Sequence, residues 1–451
     1  KGRMEAGEPQ DCTSWLPDEL ALRILSYLDA KDILQVAQTC QRWRELAEDE
    51  GLWQGKCKAD GIEEPPQVTR SRAKGFRSGP WRSAYIRQLR VDTNWRRGRF
   101  KTITVDLFGD YRNPDHVGFN GKELVCTTHK EIIKVWSAVT GECPRTLVGH
   151  RASVTAVQMR DHMIVTGYLD GTLNVWNAES GECIHTLGGH TDCVPHVHLH
   201  EQRAASCSSD RTIRVWDIEA GQCLHTLLGH KLAVTWVWYN GRRLVSEDLC
   251  HIVRTWDPET ETCLRSVCLH FGTYLRFAHF DGKHIVSLLC PEETIGVWDG
   301  ETLEHTRTIT GNEPYTAVMT LKNSILGVVN SGRAAEIWNV ETGQRLNLLQ
   351  DPNGFDPYAN DLGLQGDFFI GRTGTGRIKL WDWRTGQFLQ NLFVPKREED
   401  CDPDFHTFST KHIYVFVNWT KVVVLDFDVK EWARKKRRVV PSLGWCHTVD
   451  S

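Results

Sequence analysis

No two of the 15 cysteines are spaced as a CxxC pair, and their number is odd. A disulfide framework and a thiol redox motif are therefore both poor readings. No GxSxG, HExxH or P-loop is present, and no glycine-rich phosphate loop follows a strand, so the common nucleophile, zinc-hydrolase and nucleotide signatures are missing. No apolar run approaches the roughly 18 residues that a membrane span needs, and no signal peptide is visible. Charge of one sign is also lacking: 54 Lys and Arg face 58 Asp and Glu, a net −4. Global charge thus favours neither a nucleic-acid nor a membrane partner. The 451 residues suffice for one large domain and a smaller one. They begin at Lys1, not Met, and read as a fragment, so what precedes them stays open.

Tryptophan is what recurs. Trp136, Trp176, Trp216, Trp256, Trp298, Trp338 and Trp381 are 40, 40, 40, 42, 40 and 43 residues apart, and Leu425-Asp426 continues the series 44 residues later. That makes eight units. Cys143, Cys183, Cys223 and Cys263 recur every 40 residues, which marks a strand position and free thiols. Free thiols fit a reducing compartment, so cytoplasm, nucleus or both are expected. Gly149-His150, Gly189-His190 and Gly229-His230 close three units.

This punctuation resembles the WD-repeat family. The resemblance implies a mainly β fold, an eight-bladed β-propeller over residues 95–430, with four strands per blade. One blade cannot bury both faces, so the ring must close. The last unit ends without its outer strand, and WRRGRFKTITVD precedes the first unit. Residues 99–107 are expected to pair with the last blade and staple the ring; plain linker is the competing reading. In the family, the Asp six residues before Trp bonds the His of GH. Asp170 and Asp210 keep that Asp, with His150 and His190 as their partners. The same place elsewhere holds Lys130, Cys250, Glu292, Gly332 and Thr375, so those units are expected to be under-supported.

Ahead of the repeats lies SWLPDELALRILSYLDAKDILQVAQTCQRWRELAEDEGLWQGKC, residues 14–57. Leu16, Leu20, Ile24 and Leu28 have the spacing of an amphipathic helix, which Ser14 can cap. Asp32 can cap the next helix. The pattern resembles the F-box, an α-helical module that hangs substrate receptors on a small adaptor and a cullin scaffold. So short a stretch cannot bury this many large apolar side chains alone. The expected adaptor-binding residues are Leu16, Pro17, Leu20, Ile24, Leu25, Leu28, Ile33, Leu34, Val36, Cys40 and Trp43. Residues 1–13 read as a disordered stub and 58–94 as a helical linker. Within the linker Pro80 opens a helix whose Trp81, Tyr85 and Leu89 share a face. Residues 58–101 hold 12 Lys or Arg against 4 Asp or Glu, read as a solvated stalk and not as a nucleic-acid surface. Residues 431–451 read as a basic tail, and Lys435-Lys436-Arg437-Arg438 is either an import signal or plain solvated charge.

From about residue 14 to 430 the sequence resembles the F-box/WD repeat-containing protein 7 group. PWRSAYIRQLRVDTNWRRG, VWNAESGECIHTL and VWDIEAGQCLHTL carry that likeness. It implies a non-catalytic substrate receptor of a cullin-RING ubiquitin ligase, needing no cofactor or metal, that binds phosphorylated Thr-Pro segments on the propeller's top face. No RING- or HECT-like segment is present. In the group three arginines hold the phosphate. Here their places hold Gly171, Pro195 and Ser209, and the polar neighbours are Tyr168 and Leu169. Losing such charge pairs costs about 2–5 kcal/mol each. Two readings of Arg211 then stand: a solvated rim charge, or the centre of a shifted phosphate site with Lys130, Arg151, Lys231 and Arg333 nearby. The clients are expected to be proteins, phosphorylated or not; their identity and the oligomeric state stay open. The alternative to a receptor is a WD-repeat scaffold or decoy that occupies the adaptor. Cys193, His196, His198 and His200 invite a metal reading, but Val197 and Leu199 alternate with the histidines as in a half-buried strand, which splays any ligands.

Overall fold

A computed structural model describes residues 16–60, 62, 79–106, 117–120, 122–127, 133–138, 140–149, 152–269, 279–289, 292–356, 362–395, 404–409, 411–417 and 421–429. The stub 1–13, Ser14, Lys130, His150, Arg151 and the tail from 431 lie outside them. The chain divides into two compact units, residues 1–95 with 428–451, and residues 96–427.

The first unit is helical: α1 (Asp18–Tyr27), α2 (Ala30–Val36), α3 (Gln41–Leu46), α4 (Glu50–Ala59) and the beginning of α5 (Pro80–Arg97). Pro17 stands at the N-cap of α1, with Asp18 and Glu19 complementing the helix dipole in its first turn. The cap of α2 is Asp29, not the expected Asp32; its carboxylate accepts the Asp32 N–H at 2.9 Å. Asp32 is thereby the capped residue, three positions inside the motif. Asp49 caps α4 in the same way through Leu52 N–H, 2.8 Å.

Ala21, Leu25, Ile33, Leu46, Trp53 and Cys57 form the core of this unit with Tyr85 of α5. Trp53 donates its indole N–H to the Ala47 carbonyl at 2.7 Å, and its ring lies 5.3 Å from that of Tyr85. Trp81 and Leu89 pack on the same cluster, so the face expected of the linker helix is used against the preceding helices. Arg87 and Arg90 both hold the Asp428 carboxylate.

The second unit is a β-propeller of eight four-stranded antiparallel sheets. Each blade runs from an inner to an outer strand, as in blade 3: His196–His200, Arg203–Cys207, Ile213–Asp217 and Gln222–Leu227. Antiparallel order puts the second-to-third strand turn and the interblade loop at one end, called here the top. The repeated tryptophans sit on third strands, and Trp136, Trp176, Trp216, Trp256 and Trp381 are fully buried between blades. No helix among the described residues is long and apolar enough to cross a membrane.

The last blade contains one strand from the other end of the sequence. Lys101–Asp106 pairs antiparallel with Lys421–Asp426, from Lys101 opposite Asp426 to Asp106 opposite Lys421. Ile103 and Val105 alternate inward and join Val422, Val424 and Trp136 in one cluster. The staple reading of 99–107 therefore holds over 101–106, and the plain-linker reading fails. Removing residues 99–106 forfeits the burial of Ile103 and Val105, worth about 1.5–3 kcal/mol each, and leaves the edge of Lys421–Asp426 unpaired. The melting temperature of the deletion should fall by roughly 10 °C, read by circular dichroism; an unchanged value would contradict the closure.

Candidate interaction surfaces

Two surfaces present side chains with no structural duty inside their own unit. The first lies on α1. Helical spacing turns Pro17, Leu20, Ile24 and Tyr27 to one side, and all are exposed: Leu20 by 49%, Ile24 by 48% and Tyr27 by 79%. Of the expected adaptor residues, Leu25 and Ile33 belong instead to the core at 0% exposure. They lie on the inner face with Ala21, so neither is open to a partner. Leu16, Leu28, Leu34, Val36 and Trp43 are half-buried at the margin of that core, and Cys40 is exposed. Tyr27, missing from the expected set, has the clearest signal in retrospect: it continues the Leu20–Ile24 spacing.

The second surface is the top of the propeller, and it rests on the buried polar groups beneath it. In blade 3 the Trp216 indole N–H donates to Ser206 Oγ at 2.8 Å. Ser206 Oγ lies 2.9 Å from His190 Nε2, and His190 Nδ1 lies 2.9 Å from Asp210 Oδ2. The consistent assignment is a neutral imidazole: the serine hydroxyl donates to Nε2, and Nδ1–H donates to the carboxylate. Burial lowers the His190 pKa, outweighing Asp210. Burial pushes Asp210 up, but the Thr212 hydroxyl, the Thr191 and Thr212 N–H groups and His190 bring it down to about 2.

Blade 4 repeats this chain with a different aspartate. Trp256, Ser246 and His230 are linked at 2.8 Å each, and His230 Nδ1 meets Asp248 Oδ2 at 2.8 Å. Asp248 lies eight residues before the tryptophan, not six, so the loss expected at Cys250 is made good two residues upstream. Cys250 is exposed. Blade 2 uses another solution: Trp176 donates to Thr166 Oγ1 at 3.0 Å, and Thr166 donates to the Tyr168 hydroxyl at 2.8 Å. Tyr168 also accepts from Asn174, and burial pushes its pKa to about 12. At 1% exposure Tyr168 is core, which corrects its assignment to the client surface. Asp170 binds its own turn through Thr172 N–H (3.0 Å) and Oγ1 (2.6 Å).

Blades 6 and 7 replace the motif outright. Glu336, 1% exposed, accepts from Trp338 Nε1 at 3.1 Å, the Tyr315 hydroxyl at 3.0 Å and Asn330 at 3.1 Å. In blade 7 Lys379 pairs with Asp351 at 2.5 Å, both nearly buried, with Asp351 at the place of the GH histidine. In blades 4, 6 and 7 the absent signature thus marks substitution by other buried groups, whereas the buried Trp136 indole N–H of blade 1 has no partner among the described residues, as expected of an under-supported unit.

Above this layer, Leu169, Ser209 and Leu249 occupy equivalent places in blades 2, 3 and 4. Their N–H groups bond the carbonyls of Ser153, Cys193 and Ala233 at 3.0, 2.9 and 3.0 Å, just ahead of an inner strand. Leu169 is 56% and Leu249 59% exposed. Gly171 and Arg211 are also equivalent, both left-handed at φ 84° and 72°. Arg211 is exposed, whereas a Cβ on Gly171 would meet His190 O at 2.7 Å. Pro195 and Ser209 are half-buried.

The histidines of His196–His200 do not converge. His196, His198 and His200 each face a different ring of the next inner strand: Trp236 at 6.1 Å, Trp238 at 5.8 Å and Tyr239 at 6.0 Å. Burial, then the neighbouring histidines, lowers the His198 pKa to about 4.

Comparison with known proteins decides the character of both units. The F-box-like family model matches residues 14–59, and the model described as WD domain, G-beta repeat matches 141–177 and 181–217. The chain joins an F-box-like module to WD repeats. F-box/WD repeat-containing protein 7 of Drosophila melanogaster is 42% identical over 169 residues, 34% of this chain and 12% of that protein. The probable E3 ubiquitin ligase complex SCF subunit sconB of Arthroderma otae is 30% identical over 168 residues, 30% and 24% of the two chains. Cell division control protein 4 of Candida albicans is 24% identical over 161 residues, 33% and 24% of the two. The matched part thus spans an eighth to a quarter of these relatives. Among solved structures, the computationally designed Ika8 protein superposes with a TM-score of 0.58 at 26% identity, covering 71% of this chain and 98% of that one.

In these WD repeats the polar chain of blade 4 predicts a contrast. Asp248→Ala should cost about 1–3 kcal/mol by leaving His230 Nδ1–H unsatisfied, while Cys250→Ala should stay within about 0.5 kcal/mol. The pH dependence follows from His190 and His230, both lowered from 6.5 chiefly by burial. The unfolded chain binds their protons first, so their contribution is complete above 6.5 and is lost as pH falls toward the lower folded values. Denaturant melts from pH 7.5 to 5 should show this decline, and a wild-type stability independent of pH would contradict the neutral-histidine assignment.

Proposed function

We propose that this chain is a non-catalytic substrate-receptor subunit of a cullin-RING ubiquitin ligase. The F-box-like module docks the small adaptor that joins it to the cullin, and the top of the propeller holds a protein client for ubiquitylation and degradation. The observation that carries this reading is the exposed apolar face of α1, Pro17, Leu20, Ile24 and Tyr27, inside the F-box-like match. Four apolar side chains in water on one short helix are a docking surface. The names of the relatives, an F-box/WD protein and a ligase subunit among them, support the same assignment.

A scaffold or decoy is the second reading. It is favoured by Gly171, Pro195 and Ser209 at the three places where the resembled group keeps arginine, and by the burial of Tyr168. Such a protein would hold the adaptor without turning over a phosphorylated client.

Co-purification with adaptor and cullin tests the first claim. Leu20→Asp with Ile24→Asp removes two exposed anchors worth about 1.5–3 kcal/mol each, so adaptor capture should fall at least tenfold while the circular dichroism melt stays unchanged. Capture that survives the double variant would refute docking through α1. Client turnover in cells with and without the chain then divides receptor from decoy.

A further inference from the structure

The top of blades 2 to 4 lacks what a phosphate needs and has something else. A dianion is held by several guanidinium groups that replace its water. Here Gly171 has backbone oxygens of His190 and Asp192 at 2.7 and 3.0 Å from where a Cβ would stand. The exposed carboxylates of Asp170 and Asp192 lie on the two loops that meet there. Toward blade 4 the exposed charges are Arg211 and Lys231, and neither is in an ion pair among the described residues. Among the described residues, the two acids thus stand toward blade 2 and the two bases toward blade 4.

Between these charges stand leucines. Leu169 and Leu249 flank Ser209 at equivalent places, and Leu232, 40% exposed, lies on the interblade loop that follows His230 and Lys231. The carbonyl of Ala233, next to Leu232, accepts the Leu249 N–H, so the two loops that carry these exposed leucines meet. None of the three is needed for packing beneath, where Tyr168, Val194 and Val234 fill the blades.

We infer that this strip binds an extended, unphosphorylated client segment with two bulky apolar residues, and with an aspartate or glutamate beside them. The apolar residues cover Leu169 and the Leu232–Leu249 pair. The single carboxylate meets Arg211 and Lys231, which a partner of opposite charge completes. A phosphate on the same segment gains no bidentate cluster and approaches Asp170 and Asp192. The inference rests on the receptor reading above and names its client class.

The test uses the full chain co-expressed with its adaptor, on arrays of immobilised 12-residue peptides. One array carries paired leucines at varied spacing with an adjacent glutamate. Control arrays replace leucine by serine, glutamate by lysine, or the glutamate by phosphothreonine-proline. The leucine–glutamate array should retain the chain at least tenfold better than the serine array and several-fold better than the lysine array, with no gain from phosphate. Leu169→Asp and Leu249→Asp, both at exposed positions, should each remove most of that retention without shifting the melting temperature. Retention that requires phosphate, equal retention on the serine array, or indifference to both variants would overturn the inference. Adaptor capture is read on the same preparation: adaptor held with no peptide preference refutes the client class alone. Peptide preference without adaptor upholds the strip and refutes the receptor reading.

Discussion

One antiparallel pairing closes the propeller, and every other feature of that unit depends on it. Lys101–Asp106 completes the blade that ends the repeat series, so the first and last sheets become neighbours in one cluster. A blade has two apolar faces and no independent core. With the ring closed, each face has a partner, and the top loops are held at fixed distances by strands that cannot splay. A surface read by a client must be rigid in this sense, because ordering it on binding would consume the binding energy.

Inside the closed ring the constraint passes to the tryptophans. A buried indole N–H needs an acceptor, and blades 2, 3, 4 and 6 supply it in three ways: serine backed by histidine and aspartate, threonine backed by tyrosine, and glutamate directly. The family punctuation is only the first of these. Its decay reads as weakening throughout when one motif is sought, but in blades 4 and 6 the hydrogen bonds show exchange. Asp248 shows why. The turn of blade 4 holds Cys250 at the usual place, and Asp248 at the end of the second strand brings its carboxylate to His230 instead.

The repeat, its eightfold count and the staple were legible because period and deficit are properties of the whole chain. Tryptophan at nearly constant spacing requires equal blades, and a last unit short of one strand requires a donor. The F-box-like helices were legible for a similar reason, since their apolar residues outnumber what so short a stretch can bury. What escaped was the facing of individual side chains. Leu25 and Ile33 could not be told from Leu20 and Ile24 by type alone; the helix-to-helix contacts with Trp53 and Tyr85 decide which stripe is inside. The exchange of Asp32 for Asp29 as a cap turns on where the chain first becomes helical. Tyr168 was misplaced because its turn position is exposed in outline, while its hydroxyl is drawn inward by Thr166 and Asn174.

That inward turn links stability to recognition. Once Tyr168 serves the Trp176 network, the top of blade 2 has no polar side chain to offer at that place. The next residue outward is Leu169, exposed and apolar. Gly171 is held under the His190 carbonyl in a left-handed turn, so a side chain there must displace backbone. The loss of the phosphate-binding pattern is therefore not three independent substitutions on an otherwise unchanged surface. One of those positions, Gly171, is committed through backbone contact, and its neighbour Tyr168 through a buried hydroxyl. An arginine at Gly171 would require rebuilding that layer, whereas apolar contact requires only what already faces water.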